Sequence, residues 1–233
     1  MKNSLSCDSV TIFKDNKKLI ENIGFSVMPC GFIQLTGENG IGKTSLMRVI
    51  ARLDTSNTGT IFYNGCNVDE YIDEYKKIIL YISDKEQVIG SSTVYEILDF
   101  WGQIYNSELL IPAICCTFGL ESYLETQIKF LSKGIKKRVV LSRLMLQKAR
   151  IWLLDEPFTN LDQNSSDILN NIVRSHIVNG GIIIMIDHSM NFEQYYKKHL
   201  ATIENIEYKL NDSWQLEKQK ILLQIKDFKL NEI

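Results

Sequence analysis

Two short runs of residues carry phosphate chemistry. In the first, Gly37-Glu38-Asn39-Gly40-Ile41-Gly42-Lys43-Thr44, two glycines with four residues between them are followed by Lys and Thr. This is the spacing of a phosphate-cradling P-loop. The glycines let the backbone turn tightly enough to aim successive N–H groups at phosphate oxygens, and a following helix adds positive potential at its N-terminus. Lys43 would place a point charge on the terminal phosphates, Thr44 would ligate Mg2+, and Ser45 would assist at a phosphate oxygen. The second run, Ile151-Trp152-Leu153-Leu154-Asp155-Glu156, is apolar and ends in paired acids. A buried strand has little structural reason to finish that way. Beside a P-loop, Asp155 would hold the metal's water shell and Glu156 would orient or deprotonate an attacking water. His188, just after a further apolar run at 181–186, stands where it could reach a terminal phosphate.

The elements that must position these residues are legible in the periodicity. Residues 32–36 read as a short apolar strand and 43–53 as a helix with Leu46, Val49, Ile50 and Leu53 on one face, so the glycine loop lies between strand and helix. Residues 5–27 predict two antiparallel strands broken at 14–18, and Asn64-Gly65 predicts a hairpin turn between 60–63 and 66–68. A strand is expected at 78–82 and mainly helical structure at 93–130, with a break near Ile111-Pro112. Then follow a helix at 132–147, a buried strand at 151–154, a helix at 162–178 and a strand at 181–186. Such alternation implies a parallel sheet covered on both faces. A short strand pair at 202–210 and an amphipathic packing helix in the tail complete the reading.

Composition narrows the function classes. The 233 residues suit one large domain, and 45% hydrophobic with 23% charged residues excludes a disordered chain. Twenty-six Lys and Arg against 28 Asp and Glu leave a net charge of -2, so no global basic field exists to hold nucleic acid, and no nucleic-acid partner is expected. The apolar runs fall far short of the roughly 18 residues needed to cross a bilayer. The first ten residues lack the apolar core of a secretory signal, which predicts that the protein stays where it is made. Cys7, Cys30, Cys66, Cys115 and Cys116 form no CxxC pair, and are expected to be small core residues in a reducing compartment.

A third run decides the family. Leu131-Ser132-Lys133-Gly134, followed by Ile135-Lys136-Lys137-Arg138 and an apolar helix, resembles the signature sequence of ABC-transporter ATPases, and Phe158-Thr159-Asn160-Leu161-Asp162 resembles their D-loop. The stretches FIQLTGENGIGKTSLMRVIARL, LSRLMLQKARIWLLDEPFTNLD and GGIIIMIDHSM look most like the ATP-binding subunits of haem exporters used in cytochrome c maturation. The resemblance implies an α/β P-loop NTPase of ABC type, with a mixed or parallel central sheet, an antiparallel β subdomain and a helical subdomain. It implies one ATP-binding domain over 1–233, with the helical and signature subdomain at 93–148 and a C-terminal helical tail at 213–233.

It further implies ATP and Mg2+ as ligands, with catalysis by Glu156, His188 and Lys43. ATP would contact Phe13, through adenine stacking, and the loop residues Gly37, Glu38, Asn39, Gly40, Ile41, Gly42, Lys43, Thr44 and Ser45. Ser132, Gly134 and Asp162 would complete the phosphate site of a second copy, giving a nucleotide-sandwich dimer. Phe100, Trp101 and Tyr105 lie near where such subunits receive integral membrane transporter subunits, on the cytoplasmic or matrix face of the membrane.

The chain departs from the family pattern in three places. The usual lid glutamine aligns near Asp84, with Gln87 three residues later, so Asp84 is a candidate metal ligand beside Thr44 and Asp155. Lys133 stands for a common glycine and Ile135 for a common glutamine. The core motifs do not encode cargo, so another ABC transporter, or a nucleotide-gated module with little hydrolysis, remains an alternative.

Overall fold

The computed structural model describes residues 3–187 except Asn16, Ser56 and 85–89. Expectations for His188, Gln87, the strand pair at 202–210 and the tail at 213–233 lie outside the described residues.

Strands β1 (Leu5–Lys14), β2 (Lys17–Val27), β4 (Asn57–Tyr63) and β5 (Cys66–Asn67) form an antiparallel sheet in the order β2-β1-β4-β5. Strands β3 (Phe32–Leu35), β6 (Ile79–Ile82), β7 (Ile151–Asp155) and β8 (Ile182–Ile186) form a parallel sheet in the order β3-β8-β7-β6. Every residue of β6, β7 and β8 is buried, as unbroken apolar runs require when both faces are covered. Successive side chains point to opposite faces and so feed two separate cores. Trp152, Leu154, Ile183 and Met185 enter one with the helical segment, while Ile151, Leu153, Ile182 and Ile184 enter the other with β1 and β4. In the antiparallel sheet, β1 bulges between Asp8 and Thr11, with Ser9 at φ 52°. Gly59 fits against this bulge because a Cβ there would lie 2.4 Å from the Ser9 carbonyl oxygen.

The helices differ from the sequence expectation in informative ways. Helix α1 (Lys43–Ile50) ends earlier than expected, leaving Leu53 exposed. Helix α2 (Ile72–Ile78) has one fully buried side chain, Tyr75, whose hydroxyl donates to the Ile50 carbonyl at 3.0 Å; seven residues with one buried position leave no periodic trace. Helix α3 (Val94–Tyr105) opens on a capping box between Thr93 and Glu96. The break expected near Ile111-Pro112 separates α3 from α4 (Ile111–Phe118), and Pro112 occupies the first turn of α4, where a missing N–H costs nothing. The single helix expected at 132–147 is two, α5 (Lys133–Leu141) and α6 (Arg143–Leu146), parted at the buried Ser142. Its hydroxyl donates to the Val139 carbonyl at 2.6 Å, a local bond that competes with helical geometry. Helix α7 (Gln163–Val178) leads back into β8. All five cysteines are free; Cys7 and Cys115 are buried, but Cys66 and Cys116 are exposed, so these two are not core residues. No helix among the described residues is long and apolar enough to cross a membrane.

At the end of the sheet where β7 and β8 begin, the His176 ring stacks on Trp152 with centroids 3.6 Å apart and planes 6° from parallel. Gly181 makes room, because a Cβ there would lie 2.2 Å from His176 Nε2. Burial lowers the His176 pKa from 6.5 to about 4. Between those values the unfolded chain binds the proton and the folded chain does not, so stability is full above pH 6.5 and declines toward pH 4. The expected loss is on the order of 2 kcal/mol, discounted because the ring is only half-buried. Melting temperature measured from pH 7 to pH 4.5 should fall less steeply in His176→Phe than in wild type; equal slopes would remove His176 as the cause.

Candidate functional site

The loop joining β3 to α1 turns through three glycines at positive φ: Gly37 at 143°, Gly40 at 86° and Gly42 at 107°. Gly42 caps α1 with no side-chain partner for the first-turn N–H groups, and no acidic residue stands in that turn. The helix start therefore presents open donors and uncompensated positive potential. Gly42 also meets the β1–β2 hairpin closely, since a Cβ would lie 2.8 Å from Ile20 and 3.0 Å from Leu19. Lys43 Nζ donates to the carbonyls of Gly37 at 2.7 Å and Glu38 at 2.9 Å, which places the ammonium across the mouth of the loop. Glu38, Asn39 and Gly40 are exposed, and Ile41 and Ser45 are half-buried.

Across the end of β8, Thr44 Oγ1 donates to Asp155 Oδ2 at 2.8 Å. Asp155 is 2% exposed, and burial pushes its pKa up while the Thr44 bond pulls it down. The Asp84 and Glu156 carboxylates lie close enough to raise it further. Tyr81 also borders Asp155; burial first, then that carboxylate, pushes its hydroxyl well up. Glu156 adopts φ 46°, in the left-handed region. Its N–H donates to the Ile186 carbonyl at 2.8 Å, its Oε2 accepts from Thr159 Oγ1 at 3.2 Å, and its carbonyl accepts from Lys137 Nζ at 2.9 Å. The turn out of β7 thus holds the second carboxylate half-buried above the sheet.

The structure brings Lys43, Thr44 and Ser45 on α1 to the same end of the sheet as Asp155, Glu156 and the exposed Asp84. Phe13 stands half-buried opposite Lys18 on the hairpin whose Leu19 and Ile20 touch Gly42. Ser132 and Gly134 form a second group. Ser132 is exposed and caps α5, accepting from Ile135 N–H at 3.3 Å. Gly134 packs on the D-loop segment, where a Cβ would lie 2.9 Å from the Asn160 carbonyl oxygen. Asp162 is committed to its own helix: Oδ1 accepts from Ser165 N–H at 2.7 Å, which also holds the carboxyl below the usual range. Ile135 is buried, so its side chain belongs to the core and substitutes for no polar contact.

Sequence reading missed Tyr81, Thr159 and Lys137. The signal for Lys137 was a charge on the inward face of α5, three and four residues before the buried Val140 and Leu141.

Residues 20–159 match the ABC transporter family. The chain is 36% identical to the cytochrome c biogenesis ATP-binding export protein CcmA of Wolbachia pipientis, over 79% of this chain and 89% of that one. It is 35% identical to the protein of the same name from Rickettsia bellii, over 75% of this chain and 88% of that one. Among solved structures, the ATP-binding subunit of an ABC transporter superimposes with a TM-score of 0.75 at 23% identity, covering 82% of each chain. With the glycine loop, the acid-tipped β7 and the signature segment each in its place on this α/β P-loop fold, the chain belongs to the ABC transporter ATP-binding family.

Proposed function

We propose that the chain is the ATP-hydrolysing subunit of a cytochrome c biogenesis exporter, working as a pair against integral membrane subunits that move haem. The bond between Thr44 Oγ1 and Asp155 Oδ2 carries this reading, since it joins the nucleotide loop to the acidic strand end. A hydroxyl and a carboxylate are hard oxygen donors, suited to Mg2+, which takes few protein ligands and completes its shell with water and phosphate. Thr44 and Asp155 would hold that ion, with Asp84 nearby as a third ligand; when bound, it would offset charge on the phosphates. Lys43 and the open N–H groups of α1 bind the phosphate chain, and Phe13 meets the base. Glu156 accepts a proton from the attacking water as the bond from the terminal phosphorus to the bridging oxygen breaks. His188 is proposed as a further contact of the terminal phosphate.

Gly134 packs on Asn160 and Ser132 caps α5 with its side chain exposed, which supports completion of each site by a second copy. The 93–148 segment then acts as the signature subdomain, and it also offers a surface to membrane subunits on the cytoplasmic or matrix face. Leu109 is 96% exposed and Phe130 72%, with Phe100 and Ile104 also outward, and these exposed apolar side chains support a contact role for the segment. Of the aromatics expected there, Trp101 is a core residue lying under Arg143, and Phe100 is the one presented to solvent.

MgATP hydrolysis by the chain co-expressed with its membrane subunits tests the reading. Glu156→Gln should lower turnover about 100- to 1,000-fold while trapping an ATP-bound dimer, visible by size-exclusion chromatography with bound nucleotide. Lys43→Ala should abolish ATP binding. Wild-type turnover no faster than Glu156→Gln would instead identify a nucleotide-gated module. Thr44→Val should raise the Mg2+ concentration for half-maximal hydrolysis about tenfold, and adding Asp155→Asn should cost less than the product of the single effects because the two residues act together. Independent, multiplicative losses would separate Thr44 from Asp155 as ligands.

A further inference from the structure

We infer that Lys137 is a positioning residue for Glu156, tying the catalytic carboxylate of a site to the helix that carries the signature segment. Lys137 is 9% exposed, and burial pulls its pKa down. An ammonium taken out of water is destabilising unless something compensates, and an apolar side chain of equal length would fill the space at less cost. The compensation is specific. Nζ donates to the Glu156 carbonyl at 2.9 Å, and the carboxylates of Asp84, Asp155, Glu156 and Asp187 all lie near enough to favour the charged form.

Glu156 needs such a hold. Its φ of 46° is strained for a residue with a Cβ, and the backbone keeps that conformation only while both flanking groups are tied. The N–H is tied to β8 through Ile186, and the carbonyl is tied to α5 through Lys137. Releasing the second tie lets the turn relax toward ordinary φ, which swings the Glu156 carboxylate away from the bond to Thr159. Lys137 acts through Glu156, whose carbonyl it holds. Because Ser132 caps the same helix five residues earlier, engagement of the signature by another copy's nucleotide and the aim of this copy's Glu156 share one rigid element. The inference rests on the reading of Glu156 as catalytic base.

The test is steady-state MgATP hydrolysis by the full chain with its membrane subunits. Lys137→Met keeps length and stem and should melt at or above the wild-type temperature. It should lower kcat about 10- to 100-fold with KM for MgATP unchanged within about twofold. Lys137→Gln, whose amide can still donate to the carbonyl, should recover kcat to within about threefold of wild type. In a Glu156→Gln background, Lys137→Met should change the residual rate less than about twofold, since the group it positions is already gone. Wild-type kcat in Lys137→Met, or an equal loss in the Met and Gln variants, overturns the proposal while leaving Glu156 as base. A wild-type rate in Glu156→Gln overturns both. Should Lys137→Met fail to fold, Lys137→Ala decides the matter: kcat restored by added propylamine upholds the tether, and no restoration overturns it.

Discussion

A buried carboxylate at the tip of a buried strand is the constraint on which the rest of this molecule turns. Asp155 is nearly inaccessible, and an ionised carboxylate there costs several kcal/mol unless neighbours stabilise it. Thr44 donates a hydrogen bond to its side chain. That bond has topological consequences, because β3 is not adjacent to β7; β8 lies between them. The polypeptide leaves β3, turns through three left-handed glycines and starts α1 over the end of β8, so that the second residue of the helix reaches β7. A side chain at position 42 would be strained at φ 107° and would force Ile20 and Leu19 to shift at the point where the helix begins.

The two cores follow from the same strand. Alternation along β7 sends Trp152 and Leu154 to the helical side and Ile151 and Leu153 to the β-sheet side. The strand is locked from both faces, and its terminal acids inherit that rigidity. The glycine loop leads into the helix α1 that packs in one core and α5 packs in the other, so both are braced by the common backbone of β7. Precise placement of reacting groups is best built on such elements.

Much of this was legible from the chain alone. The continuous apolar runs of β6, β7 and β8 announced strands buried on both faces, and the spacing from Gly37 to Thr44 announced the loop. What was not legible has physical causes. Helix α2 buries one residue fully, too little for a periodic signal, and the division of α5 from α6 depends on where a buried serine hydroxyl finds its acceptor. Asp162 was read as a ligand from the motif around it; that it also caps α7 is legible only from its place directly before a helix, where Asp is a favoured N-cap. Lys137 was not singled out because it stands in a run of three basic residues, although its position on the helix faces inward.

The balance of charge at the strand ends argues for what this surface can accept. Asp84, Asp155, Glu156 and Asp187 converge around one buried ammonium, Lys137, while Lys43 stands over the loop on carbonyls of Gly37 and Glu38. Coulomb repulsion over such distances is weakly screened where water is excluded. A bare polyphosphate would add negative charge to a cluster in which acids already outnumber bases. Lys43 and the helix N-terminus favour the phosphates from one side, but they do nothing for the carboxylates on the other. A divalent cation bound with the phosphates would resolve the conflict by supplying opposite charge beside the carboxylates, and Thr44 and Asp155 are the paired oxygen donors that would hold it. Among these acids the buried Lys137 ammonium supplies positive charge that offsets part of their mutual repulsion.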